Sequence, residues 1–210
     1  MSLCAILAPK FPVVCGAFLH NQAVSLLSMP PSPYMGDGND AADVRKLQAF
    51  GSLFEVLSGD LLLSLKEGSG LGSKGSITGG GAGAGAGGGG EMDVNRLITA
   101  QLQEIVERIL AWTPASQSAL QLQRLVCLQN CSPVLKTGSA DLLRRVYANL
   151  FSHDCPSFST SAHNGAVSLT AVSEKASTVI AHLSHACGES AVADPTLLGD
   201  IVSQVLTVTD

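Results

Sequence analysis

Between Gly68 and Gly90 the chain reads GSGLGSKGSITGGGAGAGAGGGG, which collects 13 of its 22 glycines into one stretch. Such a run has almost no side chain to bury and the most backbone entropy to lose, so it predicts a disordered insertion. As a flexible coil its ends lie on average about 25–30 Å apart, enough to bridge two packed helices without strain. Whatever folds must therefore come from two blocks, residues 1–67 and 93–210, joined by a linker over 68–92.

Both blocks read as helix. Period-2 alternation is absent, and so are the β-branched and aromatic clusters that support strands. The clearest pattern runs from Asp93, a natural N-cap, to Trp112. Val94, Leu97, Ile98, Leu102, Ile105, Val106, Ile109 and Leu110 form one apolar stripe, with Arg96, Gln103, Glu104, Glu107 and Arg108 opposite. Thr113-Pro114 predicts the next helix start, reaching about Gln129, and Asn130-Cys131-Ser132-Pro133 its end. Ser139 caps a helix over 140–152, Gly165–Cys187 carries a longer one closed by Gly188, and Asp194-Pro195 opens the last. Before the glycine run, Pro12 opens a helix to about Leu27. Asp40 caps another to Leu57, with a kink at Ser58-Gly59 and a continuation over Asp60–Lys66.

About seven helices in antiparallel pairs follow from this pattern, an all-α fold. Pro114, Pro156 and Pro195 recur at close to the roughly 40-residue period of HEAT and armadillo repeats. The residues around these prolines do not otherwise match, so a HEAT/armadillo-like stack and an irregular helical bundle are both open. A repeat array needs polar faces at its ends. The last helix stays apolar nearly to Asp210, and apolar residues begin at Leu3. Neither end is such a cap, which predicts a piece of a longer array or a chain that stacks on a partner.

Composition narrows the function classes. With 12 Lys and Arg against 17 Asp and Glu, a formal charge of −5 offers no basic footprint for nucleic acid or an anionic membrane. No apolar run reaches the roughly 18 residues of a membrane span. The apolar start Met1–Ala8 lacks a preceding basic residue and is broken by Pro9-Lys10, so it is not a signal peptide. Six cysteines, Cys4, Cys15, Cys127, Cys131, Cys155 and Cys187, are too few for a disulfide framework and sit mostly in apolar helical patterns. Buried free thiols in a reducing compartment are the reading, giving a soluble cytoplasmic or nuclear chain.

Chemistry-bearing motifs are few. Gly70-x-Gly72-x-x-Gly75 matches a dinucleotide fingerprint only in letters, because more glycine follows where a helix is needed. Lys74 precedes Gly75 and is not a P-loop lysine. Cys127, Cys131, His153 and Cys155 have the donor chemistry of a tetrahedral zinc site, although the spacing matches no known finger. Buried thiols plus a helix-end histidine is the alternative. His182, His185 and Cys187 gather at a helix C-terminus, where the helix dipole alone favours histidine. A cysteine-dependent enzyme on Cys155 lacks an orienting third group. No catalytic residue, cofactor site or enzymatic activity is expected.

The leucine-rich helix pairs interrupted by Gly68–Gly90 resemble helical stretches of giant ubiquitin-pathway scaffolds. A local likeness to the central, non-catalytic region of the giant BIR-repeat ubiquitin-conjugating enzymes rests on the glycine insertion, on Asp93–Trp112 and on Lys175-Ala176-Ser177-Thr178-Val179. The family's BIR zinc signature and conjugating-cysteine motif are not found. The resemblance therefore implies a non-catalytic scaffold segment that meets protein partners or flanking helical repeats, with any ubiquitin chemistry outside it.

Overall fold

The structure, a computed structural model, describes residues 3–28, 39–70, 89–112, 118–151 and 166–209. The described residues form ten helices and no strand. They are α1 (Leu3–Lys10), α2 (Pro12–Leu27), α3 (Asn39–Gly70), α4 (Gly89–Ala111), α5 (Ser118–Asn130), α6 (Ser132–Thr137), α7 (Ala140–Phe151), α8 (Ala166–Ala186), α9 (Gly188–Ala193) and α10 (Pro195–Thr209). The expected all-α fold stands, with short helices added where breaks had been expected.

Those additions have local causes. Pro133 lacks the N–H of a continuing helix, yet Cys131 donates to the Cys127 carbonyl at 3.1 Å and Leu135 donates to the Cys131 carbonyl at 3.0 Å. α5 thus ends at Asn130 as expected, and α6 starts at once on the far side of Cys131. The same happens at Cys187, whose N–H reaches the Leu183 carbonyl at 2.8 Å while its own carbonyl accepts from Ala191 at 3.0 Å. α8 ends at Ala186, just before the expected stop at Gly188, and Gly188 at once begins α9. α3 is continuous through Ser58-Gly59 for 32 residues, since Ser58 is fully buried and its hydroxyl donates back to the Glu55 carbonyl at 3.4 Å. Helix also enters the glycine run from both sides, to Gly70 and from Gly89, while 71–88 lie outside the described residues.

Two expected caps are present. The Ser139 hydroxyl accepts from the Leu142 N–H at 3.2 Å and starts α7. Asp194 Oδ1 accepts from the N–H groups of Thr196 and Leu197 at 3.0 and 3.3 Å and starts α10. These bonds, with the Thr196 hydroxyl foremost, hold the Asp194 carboxyl below its ordinary range.

The helices pack in two rows whose main contacts are α1 on α3, α3 on α5 and α5 on α8 in one, and α2 on α4 and α7 on α10 in the other, with α4 and α7 touching only lightly. One row holds α1, α3, α5–α6 and α8–α9, and the other holds α2, α4, α7 and α10. This alternation is the geometry of stacked helix pairs, in which each pair buries its faces against the pairs before and after it. Side chains mark the rows. A methyl group added at Gly51 on α3 would stand 3.2 Å from Cys127 Sγ on α5, and one at Gly16 on α2 would stand 2.9 Å from Gln101 Oε1 on α4. Lys175 of α8 donates to Gln129 of α5 at 2.7 Å, and Arg145 of α7 donates to Glu107 of α4 at 2.7 Å.

Arg124 ties the rows together. It is 1% exposed, and its Nε and Nη2 each donate at 3.0 Å to the α4 carbonyls of Ile109 and Leu110. Nη2 also donates to Asn149 Oδ1 on α7 at 2.6 Å. The last carbonyls of a helix have no partner within it, and the negative end of its dipole favours a cation there. Replacing Arg124 with Met leaves those acceptors buried without their donor. Urea denaturation should show a loss of about 3 kcal/mol, against about 1 kcal/mol for Ser139→Ala. Arg45→Met, at an exposed position on α3, should leave the midpoint where it was.

Candidate functional site

Of the four proposed zinc donors, Cys127 and Cys131 are described and His153 and Cys155 lie outside the described residues. Helical spacing puts the two described thiols on one face of the α5–α6 rod, as the sequence implied, and that face is turned inward. Cys127 is 3% exposed and Cys131 fully buried. Cys131 Sγ donates to the Cys127 carbonyl at 3.1 Å, and Cys127 Sγ points to the Leu47 carbonyl of α3 at 3.7 Å. Burial in an apolar surround disfavours the thiolate. It pushes the Cys127 thiol up to about 12, and the Cys131 thiol well above its usual range. Both are protonated at neutral pH, and a metal would have to displace those protons inside the core.

The histidine group near the end of α8 does not converge either. His182 Nε2 lies 3.3 Å from the Ser132 hydroxyl, His185 is exposed, and Cys187 is buried with its thiol pushed up to about 11 by desolvation. Among the described residues no three His, Cys, Asp or Glu side chains gather in a metal-holding arrangement.

The site that the fold does build is a groove of about 480 Å³ between α2 and the N-terminal half of α3, closed at one side by Trp112 and Leu120. It exists because the helices above it differ in length. α1 lies on α3 but has eight residues against 32, so at about 1.5 Å per residue it spans roughly a quarter of α3. No α1 residue lines the groove. Its floor is apolar, made by Leu47, Phe50, Leu53 and Leu26, with Phe50 backed by the Phe54 ring, tilted by 31° at 5.9 Å between ring centres. Leu47, Trp112 and Leu120 form a small cluster separate from the main core, so this wall is packed on one side only.

Two polar features lie at the groove. Asp43 and Lys46 form an exposed ion pair at 3.1 Å on its rim. Trp112 is 8% exposed, and its buried indole Nε1 has no hydrogen-bond partner among the described residues. A buried donor without an acceptor costs free energy that a bound carbonyl or carboxylate would recover. This is the arrangement of an apolar cleft with a few oriented polar groups.

Sequence reasoning did not single out this groove. Phe18, Gln22 and Ser25 follow one another at helical spacing on α2, but they read as a half-polar surface strip. Trp112 is 94 positions from Phe18, and nothing local couples them. The available signal was the single tryptophan of a chain with only 4% aromatics, placed at a helix end rather than mid-stripe.

Among the described residues no helix is long and apolar enough to cross a membrane. The chain matches no protein-family model, no curated protein and no solved structure.

The thiol chemistry gives a check on the site. In the native protein, Cys127, Cys131 and Cys187 should resist alkylation at pH 8 and react only on unfolding, as peptide mapping will read. Because their folded pKa values are raised above the ordinary 9.0, the stability they confer is complete below about pH 9 and lost as pH climbs toward 11–12. The melting temperature should fall over that alkaline window, and less so in Cys127→Ala.

Proposed function

We propose that this chain is a non-catalytic helical scaffold segment that holds protein partners, with the α2–α3 groove as its main recognition site. The observation that carries the reading is the apolar groove with Trp112 in its wall, whose buried indole N–H has no hydrogen-bond partner among the described residues. A peptide helix or strand laying apolar side chains on Leu47, Phe50 and Leu53, and one carbonyl on Trp112, fits that chemistry.

Other features support the same reading. The described cysteines are desolvated and protonated, the reverse of an activated nucleophile. The two-row stack uses several of its polar pairs as struts between helices, at Arg144–Asp194, Arg144–Asp200 and Arg145–Glu107. The likeness to the central region of giant BIR-repeat ubiquitin-conjugating enzymes supports placing the segment in a larger ubiquitin-pathway protein in the cytoplasm or nucleus. Any conjugating chemistry then belongs to other parts of that protein.

A photo-crosslinking amino acid at Gln22, an exposed residue lining the groove, should capture a discrete set of proteins in cells. The same group at Glu174, exposed on α8, should not. Lys46→Trp fills the groove mouth from an exposed position and should abolish the Gln22 adducts with the melting temperature unchanged. Identical adduct patterns at both positions, or adducts that survive Lys46→Trp, would defeat the assignment of the groove.

A further inference from the structure

The two rows end in unlike edges. At one edge, Leu3 and Leu7 of α1, Phe11 at the bend, and Val14 and Phe18 of α2 are all exposed, with Leu3 and Val14 at 68% and 66%. Phe11, Val14 and Phe18 fall three and four apart, so they make one apolar ridge. At the other edge, Val192 of α9 and Leu198 and Val202 of α10 are exposed, with Val192 at 69%. Leu198 and Val202 again sit four apart on one face. Contiguous apolar surface of this kind marks an interaction site on a folded protein.

The row assignment pairs these edges. α1 and α9 belong to one row, and α2 and α10 to the other. If a second molecule continues the stack, its α10 meets α2 and its α9 meets α1. That is the same two-apart contact that joins α2 to α4 and α3 to α5 inside the chain. Leu198 and Val202 then face Val14 and Phe18, and Val192 faces Leu3 and Leu7.

Charge selects this pairing over the like-with-like alternative. Residues 1–28 contain Lys10 and no Asp or Glu, whereas residues 187–210 contain Glu189, Asp194, Asp200 and Asp210 and no Lys or Arg. Lys10 and Glu189 are both exposed, and neither forms an ion pair among the described residues. Joining two α1–α2 edges would set Lys10 against its own copy, and joining two α9–α10 edges would set Glu189 against its own copy, since Arg144 already holds Asp194 and Asp200. The opposite ends attract.

We infer that the α1–α2 edge of one copy is covered by the α9–α10 edge of a second copy, head to tail. Such a contact is heterologous, so it extends into rings or filaments rather than closing as a dimer. It rests on the two-row stack and on the edges; Phe18 also lines the groove, but self-association is read by sedimentation and the groove by the Gln22 adducts, so the two readings fail separately.

Analytical ultracentrifugation of the whole chain decides it. The unmodified chain should show species beyond dimer that grow with concentration. Val14→Glu and Val202→Glu, both at exposed positions, should each keep the helical content and melting temperature yet run as monomers. Each should weaken the apparent Kd by more than about tenfold. Mixed in equal amounts they should form a dimer and nothing larger, because each variant keeps one sound edge. Lys10→Glu should weaken association, and Lys10→Glu with Glu189→Lys should restore it. A chain that stays monomeric to about 100 µM overturns the inference, as does a Val202→Glu variant that still dimerises by itself or a variant mixture that stays monomeric.

Discussion

A buried guanidinium holds this structure together. Arg124 stands on α5, in one row, and its hydrogen bonds end on α4 and α7, in the other. Burying a cation costs several kcal/mol, and that cost is offset only where good acceptors surround it. Here the open carbonyls of the last α4 turn supply them, and Asn149 adds a third while also donating toward the Leu110 carbonyl at 3.4 Å. Ile105, Ile109, Leu125, Leu128 and Leu150 enclose this region without exposure above 1%. With water excluded, the bonds are strong and directional. The end of α4 is thereby fixed relative to α5 and α7, which sets the step from one helix pair to the next.

Within each row, spacing is set by small residues and charge by struts. Gly16 lets α2 approach α4, and Gly51 lets α3 approach α5. A helix stacked on both sides has little free perimeter, which accounts for a chain with only 14% charged residues. The charges that remain cluster where rows need alignment. Arg144 reaches Asp194, Thr196 and Asp200 from α7 to the start of α10, and His20 lies 2.9 Å from Glu104 between α2 and α4. Arg108 first and His20 second hold the Glu104 carboxyl below its usual range. These pairs are exposed and contribute mostly alignment rather than stability.

Helix content was legible because a 3.6-residue stripe is a local signal. Ile98, Leu102, Ile105, Val106 and Ile109 are buried as their spacing implied, while Leu97, assigned to the same stripe, is 47% exposed. The caps at Ser139 and Asp194 were legible for the same reason, since a cap needs only its own first turn. The helix ends at Asn130 and before Gly188 were legible from the same kind of local signal, while the short helices that begin at once beyond them, α6 and α9, were not. Arg124 carried no local signal, because its partners are 14 to 25 positions away. The zinc set illustrates the converse. Cys127 and Cys131 were correctly placed on one helical face, but sequence spacing does not say whether that face looks outward or into α3.

A closed bundle can bury every apolar stripe, because its last helix returns to its first. Two rows of stacked pairs have no such return. Each added pair covers one apolar face and presents another, so the number of uncovered edges stays at two however long the stack grows. In this chain apolar side chains stand open at both edges, Val14 at one and Val202 at the other. The groove arises from the same shortage. On its row's outer side α3 receives only the eight-residue α1, and the groove opens between α2 and the part of α3 that α1 does not reach. The edges and the groove are thus one physical feature: positions where the next helix of the stack would lie.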